Sequence, residues 1–71
     1  MATTTLKVGG MSCGHCVMAV TNALRSVAGV ADAQVDLQAG RAVVQYDDHQ
    51  ASRGDLVGAV QAEGYTAEPA G

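Results

Sequence analysis

The sequence predicts an α+β domain, a ferredoxin-like βαββαβ sandwich in which a four-stranded antiparallel sheet carries two helices on one face. Three observations point there. Apolar residues alternate with polar ones in short segments. They recur at three- and four-residue spacing in two longer segments. The segments follow one another as strand, helix, strand, strand, helix, strand, an order that closes most economically into one sheet with both helices on the same side.

Each element can be justified in turn. Thr4, Leu6 and Val8 share one face of a first strand, which Gly9 and Gly10 end. A first helix is expected from about Cys13 or Gly14 to about Val27. Val17, Val20, Leu24 and Val27 form its apolar stripe, and Gly29 is placed to terminate it in a left-handed conformation. In the next segment Ala33, Val35 and Leu37 face one way and Asp32, Gln34 and Asp36 the other, a strand with one wet face. A turn over Gln38, Ala39 and Gly40 leads to a hairpin partner from Arg41 to Tyr46. Ser52 followed by Asp55 is a variant of the capping box and opens a second helix over about Arg53 to Glu63. Its buried side is Leu56, Val57, Ala59 and Val60. Gly58 lies inside it at a cost of about 1 kcal/mol relative to alanine, which close helix packing would explain. Gly64 stops the helix and Tyr65 to Glu68 form the last strand, with Pro69, Ala70 and Gly71 as a frayed end.

The 71 residues make one domain, residues 1–71, with no linker or internal boundary. A core without Phe or Trp is built from Val, Leu, Ala and Met and is thin. Four scattered Lys and Arg residues in a chain of net charge −3 leave no basic stripe for nucleic acid. No apolar run is long enough to insert into a membrane, and the N-terminal residues do not read as an export signal. The expected compartment is the cytoplasm, which keeps thiols reduced. Asp32, Asp36, Asp47, Asp48 and Glu63 read as a solvated surface, some of it available to a basic partner.

Both cysteines lie in the stretch Gly9 to Cys16, GGMSCGHC. As a disulfide the pair would close a tiny loop worth about 2 kcal/mol and would join no distant segments. Following the chain up and down the sheet puts Cys13 in a loop at one end and Cys16 in the first turn of the first helix. Tyr65 comes to the same end and His49 to the opposite one, too far away to be a ligand. Amides at a helix start favour anions and lower the pKa of a thiol there. The expected chemistry is therefore exchange of protons for a soft cation, Cu(I) above all, with Zn(II) as the other thiolate-binding ion. Zinc asks for four ligands, whereas the local sequence supplies two sulfurs and no carboxylate. Two thiolates satisfy a monovalent d10 ion, and the open coordination leaves room for an incoming sulfur.

Around these residues the chain resembles the heavy-metal-associated domain family, and within it the small bacterial copper chaperones. The resemblance runs through LKVGGMSCGHCVMAV, ALRSVAGV, VDLQAGRAVVQYD and AEGYTAE, with Met11-Ser12-Cys13-Gly14-His15-Cys16 as its metal motif. It implies a cytoplasmic carrier of Cu(I), held by Cys13 and Cys16, with no catalytic turnover. The partners it implies are a copper-transporting P-type ATPase and a copper-responsive repressor, and the carrier is expected as a monomer able to form a copper-bridged dimer. Tyr65 falls at the family position beside the metal loop. Ser12 stands where zinc-exporting relatives tend to carry Asp. Mercury-binding relatives share the fold but are usually exported.

Around the two ligands, Met11 is expected to be an apolar plug rather than a thioether ligand, and Met18 to be partly exposed packing beside the apolar stripe. His15 is a solvated residue, a tuner of the thiols or a third ligand in a dimer. Tyr65 hydrogen-bonds a sulfur, shields the ion, or caps the core. Two other functions remain open. CGHC also occurs in thiol-disulfide oxidoreductases, although those place Trp before the first Cys and a cis-proline opposite it, and here Ser12 precedes Cys13 and Pro69 is the lone proline. The same domain also serves as an N-terminal metal-binding domain of a metal-transporting ATPase.

Overall fold

A computed structural model describes residues 1–12 and 14–70. The elements follow the expected order: β1 (Ala2–Gly9), α1 (Gly14–Arg25), β2 (Val30–Asp36), β3 (Arg41–Tyr46), α2 (Arg53–Ala62) and β4 (Thr66–Pro69). The sheet is antiparallel throughout with strand order β2-β3-β1-β4. Period-two alternation sorts the strands into a buried and a wet face. Leu6 and Val8 of β1 and Ala42, Val44 and Tyr46 of β3 are buried, whereas Lys7, Val43 and Gln45 on the other face are exposed.

Val20, Ala23 and Leu24 of α1 and Leu56 and Val60 of α2 complete the core from above the buried face. Leu6, Leu24, Leu56, Val20, Val44 and Val60 are fully buried, each contributing on the order of 2 kcal/mol of apolar transfer free energy.

The structure departs from the sequence-based expectations at six places. Helix α1 stops at Arg25 rather than Val27. The Ser26 hydroxyl donates to the Ala23 carbonyl at 2.7 Å and Val27 N–H reaches back only three residues, to Leu24 O, so the last turn tightens and ends. Gly29, at φ +94, lies four residues beyond the helix and steers the chain into β2. Leu37, expected on the buried face, is 37% exposed, because Asp36 Oδ1 accepts the Ala39 N–H at 3.1 Å and turns the chain before Leu37.

Gly58 has no close helix packing to explain it: a Cβ there would meet nothing within 4 Å. Tyr65 precedes β4 rather than opening it. Pro69 and Ala70, expected to fray, are held: Pro69 pairs with Leu6 on the edge strand, where proline is tolerated, and Ala70 N–H donates to Thr5 O at 2.9 Å. Gly71 lies outside the described residues. The Ser52 capping box forms in full, with Asp55 N–H donating to Ser52 Oγ at 3.2 Å and Ser52 N–H to Asp55 Oδ2 at 3.0 Å.

Candidate metal centre

The metal loop is the connection from β1 to α1. Gly9 ends β1 and Gly10 turns the chain at φ +93, a conformation that favours glycine. Met11 follows, half-buried and packed against the core, which is the plug expected of it and anchors the loop from beneath. Ser12 is exposed. Cys13, the first of the two expected ligands, lies outside the described residues. Gly14 begins α1, His15 is exposed, and Cys16 sits half-buried in the first helical turn.

The first turn of α1 contains no acidic residue. The positive end of the helix dipole therefore meets no side-chain carboxylate in that turn, and the Cys16 sulfur is the side-chain group placed there. Ser12 adds to this. Its Oγ lies 3.9 Å from Cys16 Sγ, spanning the helix start. A hydroxyl can donate to a thiolate as readily as it accepts from a thiol. Sequence reasoning treated Ser12 only as the residue that stands where other proteins carry Asp or Trp. The signal available for its second role was its spacing, four residues ahead of Cys16 across a helix start.

Tyr65 reaches this end because of how α2 terminates. Glu63 caps the helix, Gly64 takes φ +92, Gly64 N–H donates to Gln61 O at 2.9 Å and Tyr65 N–H to Val60 O at 3.4 Å. This is a Schellman motif, with the residue after the left-handed glycine thrown back over the helix end. Tyr65 is half-buried against the core, and its Cδ1 lies 3.4 Å from where a Cβ on Gly10 would sit. The ring thus packs against the metal loop. His49 lies at the other end of the molecule, in the loop where its N–H donates to Asp47 Oδ1 at 3.0 Å. Met18 is 62% exposed on α1. Among the described residues no three His, Cys, Asp or Glu side chains gather as a ligand set.

Fold and loop together define a metal-binding class of domain. Residues 5–66 match the heavy-metal-associated domain, and the chain belongs to that family. Among curated relatives it is 45% identical over 60 residues to the copper chaperone CopZ of Staphylococcus aureus, covering 84% of this chain and 88% of the relative. Among solved structures it is similar to a CopZ metallochaperone, with a TM-score of 0.91, 40% identity and coverage of 94% of this chain and 100% of that one. It is also similar to a copper binding domain from the P-type ATPase HMA7, with a TM-score of 0.98, 32% identity and coverage of 100% and 96%.

Proposed function

We propose that this chain is a cytoplasmic Cu(I) metallochaperone, a carrier rather than an enzyme, which holds one copper ion between the thiolates of Cys13 and Cys16. The observation that carries the reading is the position of Cys16, half-buried in an acid-free first helical turn and within reach of the Ser12 hydroxyl. Two thiolates bring two negative charges to a monovalent ion. The residual charge of minus one rests against the positive end of α1. The relative named as a copper chaperone, 45% identical, supports copper as the cargo.

Delivery goes to the metal-binding domain of a copper-transporting P-type ATPase. An acceptor thiolate adds to the ion as one of the two original copper–sulfur bonds breaks, and the released thiolate takes up a proton or keeps its charge. The likeness to a copper binding domain of such an ATPase supports this direction, since donor and acceptor built alike exchange the ion between matched sites with little change in free energy. A copper-responsive repressor is a second acceptor of the same chemistry, and a copper-bridged dimer is the form expected when no acceptor is present.

Anaerobic titration with Cu(I) against a chelator of known affinity tests the reading. About one copper per chain is expected, lost when Cys13→Ser and Cys16→Ser are combined. Undiminished binding in that double variant overturns it. Insulin reduction separates the oxidoreductase alternative, for which a carrier is inert.

A further inference from the structure

The outer strands of the sheet are β4 and β2. β4 is four residues long and contains Pro69, both features that keep an edge from pairing further. β2 is longer, at seven residues. Hydrogen bonding alternates sides along a strand, and this fixes which groups β2 shows outward. Val8 N–H donates to Gly40 O at 2.7 Å, so the even-numbered residues of β1 address the β3 side. They pair with Ala42, Val44 and Tyr46, which leaves Arg41, Val43 and Gln45 to bond with β2. The partners of those three are Asp36, Gln34 and Asp32. Ala33 and Val35 therefore turn their N–H and C=O groups away from β3, where no strand lies opposite them among the described residues.

The first of these outward groups is taken by its own neighbour. Ala33 N–H donates to Asp32 Oδ1 at 2.9 Å, and Arg25 Nη2, reaching from α1, donates to the same oxygen at 3.0 Å. Both side chains of this ion pair are exposed, and an exposed pair adds little to stability. Its consequence is positional: the guanidinium fixes the carboxylate over the strand edge. Immediately before it the register shifts between Val30 and Asp32, leaving Ala31 without a partner in β3, a bulge that bends the strand. Bulges and charged side chains are the features that blunt a sheet edge. Past Asp32 the same edge turns apolar. Val17, Val35, Leu37 and Val43 line a shallow hollow there, and Leu37 and Val43 are exposed.

We propose that Asp32, held in place by Arg25, guards the β2 edge against pairing with β2 of a second copy of this chain. The outward groups of Ala33 and Val35 are self-complementary: in a copy running antiparallel, Ala33 meets Val35 and the sheet continues across the contact. In that register Asp32 of each copy stands opposite Asp36 of the other, like charges directly facing. The guard thus acts twice. Its carboxylate takes the Ala33 N–H that an incoming strand needs, and its charge repels the Asp36 of that strand. A dimer released by loss of the guard joins the chains through the sheet rather than through the cysteines, and it forms without copper.

The test is sedimentation equilibrium and 15N NMR hydrogen exchange on the full chain, metal-free and reduced, up to about 1 mM protein. Asp32→Ala should self-associate at least about tenfold more strongly than the parent. Amide shifts at Ala33 and Val35 and slowed exchange at Val35 should grow with its concentration. In the dilute parent, the Ala33 amide should be about tenfold more protected than the Val35 amide, since the carboxylate bonds only the first. Arg25→Gln, which leaves Asp32 present but unheld, should lower that protection. Equal self-association of Asp32→Ala and the parent would overturn the proposal, as would association whose shifts map to another face. If Asp32→Ala does not fold, the exchange contrast in the unaltered chain decides, and equal protection of Ala33 and Val35 overturns the guard.

Discussion

Gly29 and Gly58 show how differently one residue type can be used. Gly29 sits at φ +94, and a Cβ added there would lie 2.7 Å from Gln50 Cβ and 3.4 Å from Asp47 O. Its own carbonyl accepts the Asp47 N–H at 2.7 Å, so the turn it makes is tied to the loop after β3. Gly29→Ala is expected to destabilise by more than about 1 kcal/mol. Gly58→Ala fills open space on an exposed helix face and should stabilise by about 0.5–1 kcal/mol. Urea melts of the two variants, shifted in opposite directions, check the contrast. In the same loop Asp47 accepts hydrogen bonds from His49 N–H and Gln50 Nε2, which hold its carboxyl below the ordinary value of 3.8. A depressed folded-state pKa gives stability that is present above the ordinary carboxylate value and lost as pH falls through the lower, folded one. A carbon-detected NMR titration of Asp47 should show a midpoint below 3.8, and a midpoint at or above it would contradict these hydrogen bonds. At this scale the sequence made the placement of Met11 against the core and of Tyr65 near the metal loop readable, because an apolar residue and an aromatic at these positions have few places to go. Ser12 was not readable, since a serine's partner depends on local geometry that composition does not carry.

At the scale of elements, the periodicities decided most of the outcome and local hydrogen bonds decided the ends. The stripe of Val17, Val20 and Leu24 placed α1, but the Ser26 hydroxyl fixed where it stops. Alternation placed β2, but the Asp36 carboxylate turned the chain before Leu37. Both are side-chain-to-backbone bonds that compete with regular structure, and a hydrophobic pattern is blind to them. The cap of α2 was legible, since Ser52 and Asp55 stand three apart ahead of an apolar run, and the reciprocal bonds form. Ser52→Ala should therefore cost about 1 kcal/mol, read as a lowered urea midpoint with unchanged slope. A midpoint within error of the parent would mean that water replaces the cap at no cost. The Schellman end of α2 matters more for function, because Gly64 and the bond from Tyr65 N–H to Val60 O deliver the Tyr65 ring to the Gly10 turn.

At the scale of the whole molecule, a short aliphatic core holds one sheet and two helices, and its two ends are chemically unlike. One end carries the Cys-x-x-Cys loop at the start of α1. The other carries an arginine-lined notch beside Ala70. The topology was legible because six segments of the right period allow few economical arrangements. The notch was not, because its lining comes from segments far apart in the chain. A core this small leaves stability sensitive to a ligand held only by the folded chain. Cu(I) buffered at a hundred times its dissociation constant should add about 2.7 kcal/mol, seen as a raised Tm. Copper X-ray absorption of the anaerobically loaded protein tests the central claim most directly. Two sulfur neighbours per copper, and loss of that signature on changing Cys13 and Cys16 to serine, are the expected result. A first shell of nitrogen or oxygen, or copper–sulfur scattering that survives those changes, would contradict it.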